Sequence, residues 1–220
     1  MTETGEMMGG QPAVVDVPDG ATAVLVLAHG AGAGMRHHWM AAVANAIVAR
    51  GVGVVRFDFP WMAAGKARPD SPAVATAAIR AVVAATRARW PELPLLAGGK
   101  SFGGRMTTTA LADGGLPGVV GAVLLGFPLH AAGAPSSTRA AHLAQVPVPM
   151  LFVHGDRDAL AEPALMAPVL AGLGPRATVR LLPGADHGFA IRKRDGGDAH
   201  VLGEIAEAVA AFARACAPTP

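Results

Sequence analysis

Short apolar runs alternate with alanine-rich helical patterns along nearly the whole chain, and this alternation most restricts the fold. The runs are Ala13–Val17, Ala23–Ala28, Val52–Phe57, Leu95–Ala97, Ala122–Leu125, Met150–Val153 and Thr178–Leu182. Most are apolar at almost every position, as strands covered on both faces must be. Helical patterns fall between them at His38–Arg50, Ala73–Arg89, Phe102–Asp113, Pro163–Leu173 and His200–Ala215. Right-handed crossovers then give an α/β, three-layer, doubly wound, mostly parallel sheet, and ligands of such sheets bind at the carboxyl ends of the strands. The residues that follow the strands carry the chemistry: His29-Gly30-Ala31-Gly32, Asp58, Lys100-Ser101-Phe102, Leu129-His130, Asp156-Arg157-Asp158 and Asp186-His187-Gly188.

Composition removes several other classes. At 220 residues the chain is expected to be one domain over 1–220, with 52% apolar and 15% charged residues. A formal charge of +2, with no basic run interleaved with aromatics, predicts no nucleic-acid partner. No uninterrupted apolar stretch of roughly 18 residues marks a membrane span. The N-terminal "MTETGEMMGGQP" has neither the basic nor the apolar region of a secretory signal, so a cytoplasmic location is expected. Cys216 is the single cysteine and is read as an ordinary thiol. Composition leaves the oligomeric state open.

The stretch "LPLLAGGKSFGGR" admits two readings. A Walker A loop needs glycine five residues before its Gly-Lys-Ser, where this chain has Pro94 with no N–H to offer a phosphate. A nucleophile elbow needs small residues two before and two after its serine, and Gly99-Lys100-Ser101-Phe102-Gly103 supplies both, between a strand and a helix. A serine hydroxyl becomes a nucleophile when a base takes its proton and an acid orients the base. In this type of fold the chain order is serine, acid, histidine, which selects Ser101, Asp158 and His187. Asp156 competes for the acid role and is otherwise a turn-shaping residue. The oxyanion donors are expected to be the N–H of Phe102, at its helix N-terminus, and that of Ala31 in the bare "HGAGAG" loop, with Gly32 as the alternative to Ala31. That loop is not a dinucleotide fingerprint, because its two registers would need glycine at Met35 or His37.

The motifs "HGAGAG", "GGKSFGGR", "HGDRD" and "DHGF", in this order, resemble the α/β-hydrolase superfamily, near its dienelactone-hydrolase-like members, from Ala23 onward. More narrowly, "GGKSFGGR", "GFPLH" and "DHGFAIRKR" are similar to testis-expressed and chromatin-complex-associated hydrolase-like proteins of animals. The resemblance implies the fold and the triad positions, and the His-Gly-x-x-Asp spacing of related hydrolases favours Asp158 over Asp156. Dienelactone hydrolases usually carry cysteine where this chain has Ser101.

The remaining histidines and charges read as structural. His29 and His154 end apolar strands beside glycine. Asp58 caps a turn or anchors the Arg68 region, and Arg192-Lys193-Arg194 is a solvated turn. His37 and His38 are expected on opposite sides of a helix start, and no metal site is predicted. The segment Pro128–Pro147 has room only for the crossover and a short helical pattern around Thr138–Gln145, so no cap domain is expected. The groove is then open, with Trp61, Phe102, Leu129 or Phe189 as its lining and His130 on its edge. The expected activity is cleavage of a small-molecule carboxylic ester or thioester without a cofactor. A non-catalytic interaction module on the same scaffold and a small peptidase are the rivals.

Overall fold

A computed structural model describes residues 5–192 and 197–217. The strands are β1 (Gly5–Met8), β2 (Gln11–Asp16), β3 (Ala23–Ala28), β4 (Val52–Phe57), β5 (Leu95–Lys100), β6 (Val119–Leu125), β7 (Met150–Gly155) and β8 (Ala177–Leu182). The helices are α1 (His38–Val48), α2 (Pro60–Ala63), α3 (Pro72–Arg89), α4 (Phe102–Ala112), α5 (Pro163–Leu173) and α6 (Gly197–Cys216), with a 3₁₀ turn over Thr138–Gln145. All eight strands join one sheet in the order β1-β2-β4-β3-β5-β6-β7-β8. From β4 to β8 every pairing is parallel, while β1 and β2 add an antiparallel hairpin on one side.

The pleat of β3 explains the three layers. Val24, Val26 and Ala28 face a core shared with Ile79 and Val82 of α3, Met106 of α4 and Met166 of α5. Ala23, Leu25 and Leu27 face the opposite core, built with Met40 and Val43 of α1 and Ile205 and Val209 of α6. Successive side chains point to opposite faces, so a strand buried on both must be apolar throughout.

Several elements depart from the sequence reading, and β1 and β5 are the two that bear on the turn at Ser101 and the sheet's edge. The hairpin strand β1 was not foreseen, and its turn is Gly9-Gly10, both at positive φ (55° and 79°). That is the conformation a tight two-residue hairpin turn requires. Strand β5 continues past Ala97 to Lys100, because Gly98 and Gly99 keep their pairing with Val123 and Leu124 of β6. The turn at Ser101 therefore follows the sheet directly. Between β6 and β7 the chain holds only the 3₁₀ turn and no separate cap domain.

Candidate active site

The turn at Ser101 forms because its neighbours lack side chains. A Cβ on Gly99 would meet the Ala28 carbonyl oxygen at 2.5 Å, and one on Gly103 would meet the carbonyl oxygens of Ala28 and His29 at 2.5 and 2.6 Å. Neither backbone can retreat, so only glycine lets β5 and α4 press this closely against β3. Ser101 sits between them at φ 49°, ψ −109°, where a side chain is rarely found. Sparsely populated backbone of this kind persists only where the surroundings over-determine it.

Three strand ends bring Ser101, Asp158 and His187 together. Ser101 Oγ lies 2.9 Å from His187 Nε2, and His187 Nδ1 lies 2.9 and 3.0 Å from the two Asp158 carboxylate oxygens. Asp158 is 2% exposed. Its Oδ1 also accepts the Leu160 N–H at 2.8 Å. Burial alone would raise the Asp158 pKa, but the His187 hydrogen bond and charge, the Leu160 N–H and the Lys100 charge together hold it below its ordinary value. An ionised Asp158 places the proton on Nδ1 and leaves the Nε2 lone pair facing the hydroxyl. That is the arrangement needed to take its proton. Asp156 points elsewhere and accepts the Gly184 N–H at 2.7 Å.

The loop carrying Ala31 is held from below by groups that sequence reasoning did not connect. Asp58 Oδ1 accepts the Met35 N–H at 2.7 Å, so Asp58 anchors this loop and not the Arg68 region. Arg56, fully buried, donates from Nη1 to the Met35 carbonyl at 2.8 Å and from Nη2 to Asp16 at 3.2 Å. The single arginine inside the apolar run "VGVVRF" was the available signal. His29, also fully buried, donates from Nδ1 to the Gly30 carbonyl at 2.7 Å and accepts the Phe59 N–H on Nε2 at 3.1 Å. Burial lowers its pKa, which keeps the ring neutral and able to fill both roles. The loop backbone thus faces the serine in a fixed conformation. The Phe102 N–H begins α4, where no intrahelical acceptor exists for it.

A cavity of about 360 Å³ opens beside Ser101, with Ala31, His38, Trp39, Met40, Lys100 and His187 in its wall. Most residues expected to line the groove are not there. Trp61 and Leu129 are 0% exposed and Phe189 is 2% exposed. Trp61 is consumed by core packing, stacked on Phe59 at 4.6 Å with the edge of Phe102 against it. Leu129 lies in the same core, its N–H on the Leu160 carbonyl. Phe189 stacks under Trp39 at 5.3 Å, so Trp39 forms the wall that Phe189 was expected to form. His130 is 3% exposed, with Nε2 2.6 Å from Glu162 and Nδ1 2.8 Å from the Ala131 carbonyl, a loop bond away from the cavity. His37 and His38, expected apart, lie with ring centroids 4.2 Å from each other. His37 is the extended N-cap of α1, and its Nδ1 accepts the Trp39 N–H at 3.3 Å. Lys193 and Arg194 fall outside the described residues; Arg192 is exposed.

Among the described residues no group of three or more His, Cys, Asp or Glu is arranged to hold a metal ion. No helix there is long and apolar enough to cross a membrane.

Known proteins share this fold. The fold is similar to that of dienelactone hydrolase from Anabaena variabilis (TM-score 0.75, 18% identity, 96% of this chain and 94% of that one). It is likewise similar to an α/β serine hydrolase without a lid from Xanthomonas campestris (TM-score 0.74, 24% identity, 100% and 98%). Est1E from Butyrivibrio proteoclasticus is a third such structure (TM-score 0.70, 16% identity, 97% and 98%). No curated protein matches the sequence. The model of the alpha/beta hydrolase domain family matches residues 21–214, and the chain belongs to that family.

Proposed function

We propose that this chain is a serine hydrolase that cleaves small carboxylic esters or thioesters through an acyl-enzyme on Ser101. The observation that carries the reading is the continuous hydrogen-bonded line from Asp158 through His187 to the Ser101 hydroxyl. His187 Nε2 takes the hydroxyl proton as Oγ attacks the substrate carbonyl carbon. The negative oxygen of the tetrahedral intermediate sits against the N–H groups of Ala31 and Phe102. The imidazolium then protonates the departing alkoxide or thiolate. Water enters, His187 takes its proton, and the acid product leaves as Ser101 recovers its hydrogen. Asp158 stabilises the imidazolium and fixes its tautomer throughout. The cycle needs only the chain's own groups.

The cavity supports short acyl chains. Its volume of about 360 Å³ is at the small end for ligand pockets, and Trp39 and Met40 give it an apolar wall. With no cap to extend that wall, each further methylene soon gains none of the roughly 0.8 kcal/mol that burial would provide. Turnover of p-nitrophenyl acetate and butyrate is expected, with kcat/KM falling by the laurate and no jump at the micellar threshold. A steady rise through palmitate overturns the short-chain reading.

The direct test is labelling by a fluorophosphonate probe followed by peptide mass spectrometry. The label is expected on Ser101 and absent from a folded Ser101→Ala protein. A folded wild type that stays unlabelled overturns the reading and favours a non-catalytic interaction module.

A further inference from the structure

Lys100 ends β5, immediately before Ser101, and takes no part in the steps above. Its side chain runs under the His187 loop, where the ammonium donates to the His187 backbone carbonyl. Nζ lies 4.9 Å from the centroid of the Phe189 ring and 5.8 Å from that of Trp39, whose ring is part of the cavity wall. Gly126, at the end of β6, closes the cage: a Cβ there would stand 3.0 Å from Nζ and 3.6 Å from His187 Cε1. One cation therefore touches the loop that carries His187, supports the pocket wall and is anchored on the serine's own strand. Lysine ammonium is strongly hydrated, and in this half-buried place an acceptor and two aromatic faces stand in for part of that water.

We propose that Lys100 is a positioning residue: its protonated ammonium tethers the His187 backbone to β5, sets Nε2 against Ser101 Oγ, and puts turnover under the control of a proton on Lys100. The proposal rests on the hydrolase reading above. Loss of that proton removes the attraction to both rings and to the nearby carboxylates, and leaves a neutral amine on the carbonyl. The His187 loop is then free to drift, and a shift of about 1 Å in a reacting group costs on the order of 10²-fold in rate. Burial outweighs the favourable charges of Asp158 and Asp186 and lowers the Lys100 pKa to about 8, so the switch falls in an accessible range. The charged and titratable groups facing Lys100 are Asp158 after β7, Asp186 and His187 after β8, and His37 and His38 across the cavity. Replacing only the lysine separates its titration from theirs.

The test measures kcat and KM on p-nitrophenyl acetate between pH about 6 and about 10. Wild type is expected to lose kcat above pH about 8 with KM nearly constant. Lys100→Arg, charged to above pH about 12, is expected to keep its kcat across the range. Lys100→Met is expected to be lower by on the order of 10²-fold at every pH, with no alkaline fall. An alkaline fall that persists in Lys100→Arg, or a Lys100→Met protein with wild-type kcat, overturns the proposal. If Lys100→Met does not fold, the arginine profile decides alone. Fluorophosphonate labelling of wild-type Ser101 reports separately on the hydrolase reading. A readout without turnover comes from NMR of the Ser101→Ala protein. Its His187 ring resonances are expected to shift with a midpoint near the Lys100 value, and ring resonances indifferent to that titration overturn the tether.

Discussion

Two histidine–carboxylate pairs stand on the same edge of the sheet, and only one can work as a base. His187 turns Nδ1 to Asp158 and leaves Nε2 facing the Ser101 hydroxyl. His130 has an acceptor on each nitrogen, the Ala131 carbonyl on Nδ1 and Glu162 on Nε2. A ring between two acceptors is satisfied only with both protons in place. The Ala131 carbonyl first, then Glu162, raise the His130 pKa, and an imidazolium so held has no lone pair to offer. The acids differ as well: the Asp158 side chain is 1% exposed, that of Glu162 40%. The carboxylate orients the ring, but the partner of the second nitrogen decides what the ring can do.

That contrast is most directly broken by removing the groups on the working side. Ser101→Ala and His187→Ala are each expected to lower kcat on p-nitrophenyl acetate by as much as about 10⁶-fold, with circular dichroism unchanged. His130→Gln is expected to stay within a few-fold of wild type. A His130→Gln protein as inactive as His187→Ala would erase the distinction between the pairs.

Next in size is the acid. Asp158→Asn keeps the shape but supports the wrong tautomer, and a loss of about 10⁴-fold in kcat is expected. Asp156→Asn, which touches only the turn at Gly184, is expected to lose less than about 10-fold, because no tautomer depends on it. Reversal of this ranking in steady-state kinetics would move the acid role to Asp156.

The smallest effect belongs to the structural pair and appears only in stability. The raised pKa of His130 gives a contribution fully present below the unfolded histidine value of about 6.5 and lost as pH rises through the folded value. The pKa of Glu162, lowered first by its hydrogen bond with His130, gives one present above the unfolded glutamate value of about 4.3 and lost as pH falls through the folded value. Wild type is therefore expected to exceed Glu162→Gln in Tm chiefly between pH about 4.3 and about 6.5, with convergence on both sides. A Tm difference independent of pH would mean that the pair contributes packing and not charge.

What the sequence disclosed follows from the physics of each feature. Ala23–Ala28, Val52–Phe57 and Pro163–Leu173 were legible to the residue, because doubly buried strands and a helix opened by proline have sharp ends. That Ser101, Asp158 and His187 meet at one edge of the sheet was legible because glycine-flanked turns at strand ends leave few places for such residues. The pocket wall was not. Apolar character says that a ring is buried, but not whether its neighbour is substrate or core, and Trp61, Leu129 and Phe189 went to the core. Trp39 sits on the cavity because His37 caps α1 and turns its first residues toward the serine. The grip of Asp58 and Arg56 on Met35 joins distant segments, and no local pattern encodes it. β1 has a four-residue "GEMM" without alternation, and only the Gly9-Gly10 pair announced it.

The backbone of Ser101, at φ 49°, makes this residue a liability for the fold that carries it. A side chain in so sparse a region costs about 1–3 kcal/mol, whereas the extra flexibility of glycine costs about 0.5–1. Ser101→Gly would thus unfold at a higher temperature than the wild type while losing its chemistry. Strain at the turn and reactivity at the hydroxyl are thus set by the same backbone, and the fold alone would be better served by glycine at position 101.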